Sequence, residues 1–288
     1  MTNIEEVLDA RKASLVSDIA ELSKTRFFSI RALGYCLGFV KESIQKLDPS
    51  QVNDSYPPIS DHFPAEWLAV KSYDLISEKF DGYDAIEEMP KVTRLNNYLR
   101  SQMFITLMAE LEDYLNHVLE LVLLAYPQKL NSEHFDINET LKEPNADDLI
   151  REKVAKKIMD KQYGKPKQYF NFVVKVLDCD QTIDRILSEE QVSDPTLKAK
   201  RHQVNSLNSL FPDYLEMKAR RDVGIHNGWL RNSLYDERVR DFDDKTYPNT
   251  GNFLCVDQAY FRQSMEVAIS LVSKCNMFCK LGFTEGDV

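Results

Sequence analysis

The chain has 288 residues, with 46 acidic against 36 basic side chains and a formal charge of −10. Its nine glycines are about 3% of the chain, under half the usual ~7%, and with eleven prolines they supply too little turn chemistry for a many-stranded β fold. The acidic balance disfavours a protein that coats duplex DNA, a 43% hydrophobic content excludes a disordered chain, and no apolar run approaches the ~20 residues of a bilayer span.

Apolar residues recur at helical spacing from the start. Ile4, Val7, Leu8, Leu15, Ile19 and Leu22, then Phe27, Ile30, Leu33, Leu37, Val40 and Ile44, predict one long helix or two between about 3 and 47. The opening MTNIEEVLDARK is acidic where a signal peptide needs a positive region and an apolar core, so a cytoplasmic protein without membrane contact is expected. Residues 49–64 form a proline-rich loop, Pro64 opens a short helix reaching Phe80, and a second loop ends at Pro90. The strongest helix runs from about 92 to 125, where Leu95, Leu99, Met103, Leu107, Leu111, Leu115, Val118 and Val122 keep one apolar face that Phe104, Met108 and Leu119 widen. A stripe that wide belongs to the central helix of a bundle.

Residues 128–147 make a polar connection to a helix of about 147–162, and another begins at Pro166 with Phe170, Val173, Val174 and Leu177. A short helix is expected around 183–187, and further helices over 197–210 and 212–224. Asn227-Gly228 then breaks the pattern. Residues 232–256 are charged and mostly loop, with 253–256 as a short extended piece. Asp257 caps the last helix, which carries Phe261, Met265, Ile269, Val272 and Cys275 and ends at a capping Gly282. The reading is all-α, with residues 1–90 as an N-terminal helical extension and 91–288 as the main helical domain.

Five scattered cysteines read as reduced thiols; Cys275 and Cys279 have no further spaced ligands for zinc. Asp178, Asp180, Thr182, Asp184 and Glu189 mimic calcium-loop offsets, but Ile183 stands where the loop needs glycine. Asp241, Asp243 and Asp244 read as an acidic surface loop. No metal or cofactor is expected, and no phosphate-binding glycine loop or hydrolase elbow is present.

The run ARRDVGIHNGWLRN (219–232) carries the chemistry. Arginine is a permanent planar cation suited to phosphate, and histidine passes protons near neutral pH. Together they suffice to cleave RNA: histidine assists 2′-hydroxyl attack or 5′-oxygen departure, while arginine holds the crowded phosphorus. Five residues of regular helix turn through about 500°, so Arg221 and His226 would point about 140° apart. They converge only if the helix ends or distorts between them, or if two copies face each other. The bland alternative is a helix-terminal histidine beside exposed arginines.

Arg220-Arg221-Asp222, then His226-Asn227-Gly228 and Asn232, resembles the motif of the HEPN superfamily, α-helical domains many of which are metal-independent ribonucleases. One departure is Gly224, where a larger apolar residue is usual; it is expected to loosen the helix. FITLMAELEDYLNHVL (104–119) is similar to the family's first core helix, and 254–272 to its closing helix. The resemblance implies a composite homodimer site. In it Arg221 stabilises the phosphate, His226 is the acid/base, and Asp222 and Asn227 position them. Arg220 is then a second phosphate contact. Glu112 would orient Arg221 or Arg220, with a surface role as the alternative. By the same resemblance such proteins serve as toxins or phage-defence effectors restrained by an antitoxin or defence-system partner. The alternative is a non-catalytic RNA- or protein-binding module.

Charge suggests an RNA path. Residues 151–168 hold seven cations against two acids, a balance of +5 that includes Lys157 and Lys161. Lys218 and Arg220 could extend this face, with Tyr163, Tyr169 and Phe170 stacking on bases; otherwise it is a solvated lysine-rich helix over core aromatics.

Overall fold

The structure is a computed structural model that describes residues 4–46, 91–130, 136–163, 165–177, 210–240 and 252–283, with side chains at 4–34 and from 99 onward within those ranges. The helices expected around 64–80, 183–187 and 197–210, the calcium-like aspartates and the acidic loop at 241–244 lie outside the described residues. Among these, every regular element is helical: α1 (Ile4–Lys46), α2 (Lys91–Ala125), α3 (Ile137–Thr140), α4 (Ala146–Gln162), α5 (Pro166–Val176), α6 (Phe211–His226), α7 (Ser233–Val239) and α8 (Gln258–Gly282), with a 3-10 turn at Pro127–Leu130. The all-α reading therefore holds, and no helix among the described residues is long and apolar enough to cross a membrane.

Helix α1 is continuous rather than two helices. The apolar face of α2 is buried as its spacing demands, from Phe104 and Leu107 through Leu111, Leu115 and Val118 to Val122. Three stretches depart from expectation. The polar connection after α2 contains the 3-10 turn and α3, because Asp136 caps α3 by accepting the Asn138 amide. The charged stretch after 232 contains α7, capped by the Asn232 side chain, which accepts the Tyr235 amide at 2.9 Å. Gly282 is the last residue of α8 and does not adopt a positive φ, so it is no left-handed cap. Asp257 does cap α8, accepting the Tyr260 amide at 2.7 Å.

The chain divides into two compact units. One holds Met1–Phe28, Ala109–Lys218 and Val267–Val288; the other holds Ser29–Met108 and Ala219–Glu266. This division does not follow a boundary at residue 90, since the first turns of α1 pack within the first unit. There Ser23 and Tyr114 share a hydrogen bond of 2.8 Å, and the Tyr114 hydroxyl also donates to the Val272 carbonyl at 3.1 Å. Arg26 pairs with Glu110 and, at 2.6 Å, with Asp113; Arg11 reaches Asp147 at 2.7 Å. Burial alone would raise the Asp147 carboxyl, but hydrogen bonds from Arg151 and Arg11 outweigh it and hold it below its ordinary value. Tyr169 and Phe170 are core residues of this unit, Tyr169 donating to Asn116 at 2.8 Å and Phe170 stacking near Phe211 and Tyr214.

In the second unit Ala219, Val223, Tyr235 and Leu254 form one buried cluster against which Val239 packs. The extended piece near 253 appears as a single antiparallel bridge between Leu230 and Phe253, with the Leu254 amide donating to the Trp229 carbonyl at 2.8 Å. This bridge holds the chain after α6 against the chain leading into α8.

Candidate functional site

Helix α6 is buried on all sides from Tyr214 to Arg220. A helix with no solvent face cannot leave a charge unpaired cheaply, so its charged residues must find partners inside the fold. Lys218 does so within the first unit, donating to the Glu112 carboxylate at 2.5 Å. The two expected functional residues thus form a buried ion pair, and Lys218 is not an exposed RNA contact. Glu112 is seen holding Lys218.

Arg220 has no exposed surface at all. Its Nη1 donates to the Cys255 carbonyl at 2.5 Å, its Nη2 lies 3.5 Å from the Tyr235 hydroxyl, and its guanidinium sits 4.2 Å over the Tyr260 ring. Tyr260 meets Phe104 edge-on at 5.5 Å, and Phe104 meets Trp229 at 6.3 Å. The expected phosphate contact at Arg220 is therefore corrected: this arginine ties α6, α7 and the start of α8 together.

The next turn emerges from the core. Arg221 keeps 20% of its side chain exposed and lies 3.3 Å from the Asp222 carboxylate through Nε. The other oxygen of Asp222 accepts from Nη1 of Arg238, on α7, at 2.7 Å. One carboxylate thus gathers two guanidiniums. Helix α6 then ends at His226, which is exposed, as are Ile225, Asn227 and Gly228.

The turn after His226 is tightly specified. The Asn227 side-chain amide donates to the Leu230 carbonyl at 2.6 Å, and the Leu230 amide returns to the Asn227 carbonyl at 3.0 Å. Both central residues, Gly228 and Trp229, have positive φ, 56° and 68°, as a type I′ turn requires. Glycine adopts this freely, but tryptophan does so at a cost on the order of 1–2 kcal/mol. Burial of the indole offsets that cost: the Trp229 ring lies so close over Gly224 that a Cβ there would be 2.6 Å from it. Gly224 therefore makes room for the ring. The expected loosening does not occur, since α6 is unbroken from Phe211 to His226.

The remaining expected RNA contacts lie in the first unit on α4, where Lys157 and Lys161 are half-buried. Of the aromatics proposed to stack there, only Tyr163 is available, at 84% exposure; Tyr169 and Phe170 are in the core. Sequence reasoning missed Arg238. Its signal was an N-cap asparagine followed by Asp236 in the first helical turn, which identifies α7.

Among the described residues no three His, Cys, Asp or Glu side chains are grouped so as to hold a metal ion. No family model, curated protein or solved structure matches the chain.

Proposed function

We propose that the protein is a HEPN-type, metal-independent endoribonuclease of the cytoplasm, with its site composed across a symmetric homodimer. The observation that carries this reading is the unbroken helix between Arg221 and His226. On such a helix the two side chains leave about 140° apart, so one chain does not bring both to one phosphate. Two copies related by a two-fold axis near the exposed end of α6 can do so, each site taking Arg221 from one and His226 from the other.

In this mechanism His226 accepts the proton of a 2′-hydroxyl as the 2′-oxygen–phosphorus bond forms. The bond to the 5′-oxygen then breaks, and the same His226, now protonated, passes its proton to the leaving oxygen. Arg221 stabilises the charge on phosphorus, and Asn227 fixes the turn that presents His226. The products are a 2′,3′-cyclic phosphate and a free 5′-hydroxyl. By its resemblance to HEPN proteins, the enzyme serves as a toxin or phage-defence effector restrained by an antitoxin or defence-system partner.

End-labelled RNAs incubated in excess EDTA should be cut to cyclic-phosphate ends by the native protein and left intact by Arg221→Ala or His226→Ala. Mixing those two inactive variants should restore activity, because a mixed dimer has one site with both residues. A strict monomer that cleaves, or mixed variants that stay inactive while each dimerises, would refute the composite site. RNA binding that survives His226→Ala, with no cleavage by the native chain, would mark a binding module instead.

A further inference from the structure

We infer that Arg238, rather than Arg220, supplies the second phosphate contact: with Arg221 it forms a guanidinium pair, gathered by Asp222, that takes a phosphodiester of RNA. The inference rests on the ribonuclease reading and identifies what completes its anion site. Three observations converge on it.

The first is accessibility. Arg220 is fully enclosed and engaged with Cys255, Tyr235 and Tyr260, whereas Arg238 keeps 27% of its side chain exposed, Arg221 20%, and Asp222 between them 24%. The second is charge. Two guanidiniums on one carboxylate leave a local balance of +1, which matches the single negative charge of a phosphodiester. A guanidinium has five N–H donors in a planar fork, so the bond from Arg238 Nη1 to Asp222 orients that fork without exhausting it.

The third is the way the chain delivers Arg238. Asn227 closes the turn at the end of α6, and Asn232 caps α7. Tyr235 then buries itself beside Ala219 and Val223, which leaves Arg238, one turn further on, facing Asp222. The asparagines of the motif thereby acquire a structural reason. They bring back to α6 a cation that lies 16 residues from Asp222 in sequence.

The test uses the full chain carrying His226→Ala, so that RNA is bound but not cut, and a fluorescein-labelled 12-nucleotide single-stranded RNA followed by anisotropy from 50 to 300 mM NaCl. Arg238→Ala should weaken binding about 10-fold and lower the salt slope by about 0.7, the value for one phosphate contact on a single strand. Arg238→Gln, which keeps the aliphatic stem, should lose the same slope even if Arg238→Ala is poorly folded. Arg238→Lys should restore the slope but only part of the affinity. Asp222→Asn should tighten binding and steepen the slope, as the local charge rises from +1 to +2. If Arg221→Ala weakens binding while Arg238→Gln leaves affinity and slope unchanged, Arg238 is only a structural ion-pair partner and the inference fails alone. If the RNA does not bind at all, the ribonuclease reading fails with it.

Discussion

Replacing Arg220 with methionine keeps the aliphatic volume of the side chain and removes its charge and donors. The structure sets the size of the loss. A charge-assisted hydrogen bond to the Cys255 carbonyl at 2.5 Å is worth about 1.5–3 kcal/mol, and a desolvated cation–π contact at 4.2 Å about 2 kcal/mol. The 3.5 Å approach to the Tyr235 hydroxyl adds little at that length. The variant should therefore lose about 3–5 kcal/mol, or about 6–10 °C in thermal midpoint for a chain of this size. Arg221→Met, at a partly exposed position, should lose no more than about 1 kcal/mol. Circular dichroism melts and urea titrations of both variants, run beside RNA cleavage, separate the two arginines. Arg220→Met should be less stable, while Arg221→Met should be stable and inactive. The assignment of Arg220 to structure is refuted if its variant melts within about 2 °C of the native protein, or if Arg221→Met falls as far.

Lys218→Met and Glu112→Leu should each cost about 3–5 kcal/mol, because each breaks a buried ion pair. The double variant Lys218→Met/Glu112→Leu should recover most of that, and strictly additive losses in urea unfolding would sink the pairing. Gly224→Ala should lower the urea midpoint: helix propensity favours alanine by about 1 kcal/mol, but displacing the Trp229 ring costs about 1–3 kcal/mol. A gain in stability would mean that the ring does not lie where the structure has it. Burial pushes the Cys275 thiol from 9.0 to about 12 and raises the Tyr114 and Tyr169 phenols. Groups raised in the folded state contribute stability that is complete below their unfolded values and lost as pH climbs through the folded ones. Stability should thus be flat with respect to these groups from pH 7 to 8 and fall from about pH 9 upward; a midpoint unchanged at pH 11 would contradict it.

The helices with wide apolar stripes were legible because period and burial coincide, and α2 is the plain case. The motif was legible as a cluster, and the structure leaves His226 and Asn227 exposed at the end of α6. What escaped was the division of labour inside it. Glu216, Lys218 and Arg220 occupy alternate positions of α6, a spacing that looks solvated in one dimension, yet packing encloses the helix on every side there. No periodicity reports such burial, because the partners that make it tolerable, Glu112, Cys255 and Tyr260, are distant in sequence. Helix α7 escaped for a different reason. It is seven residues long and strongly charged, so its cap was the only strong local sign, and its direction is set by Tyr235 entering the core.

The placement of Trp229 has an optical consequence. The chain contains two tryptophans, Trp67 and Trp229, so a Trp67→Phe variant emits from the second alone. That indole is buried against Phe104 and Gly224, and its backbone closes the turn that presents His226. Its emission colour and quenching would follow the end of α6 in real time, with no label attached, when RNA is added or the protein concentration is raised.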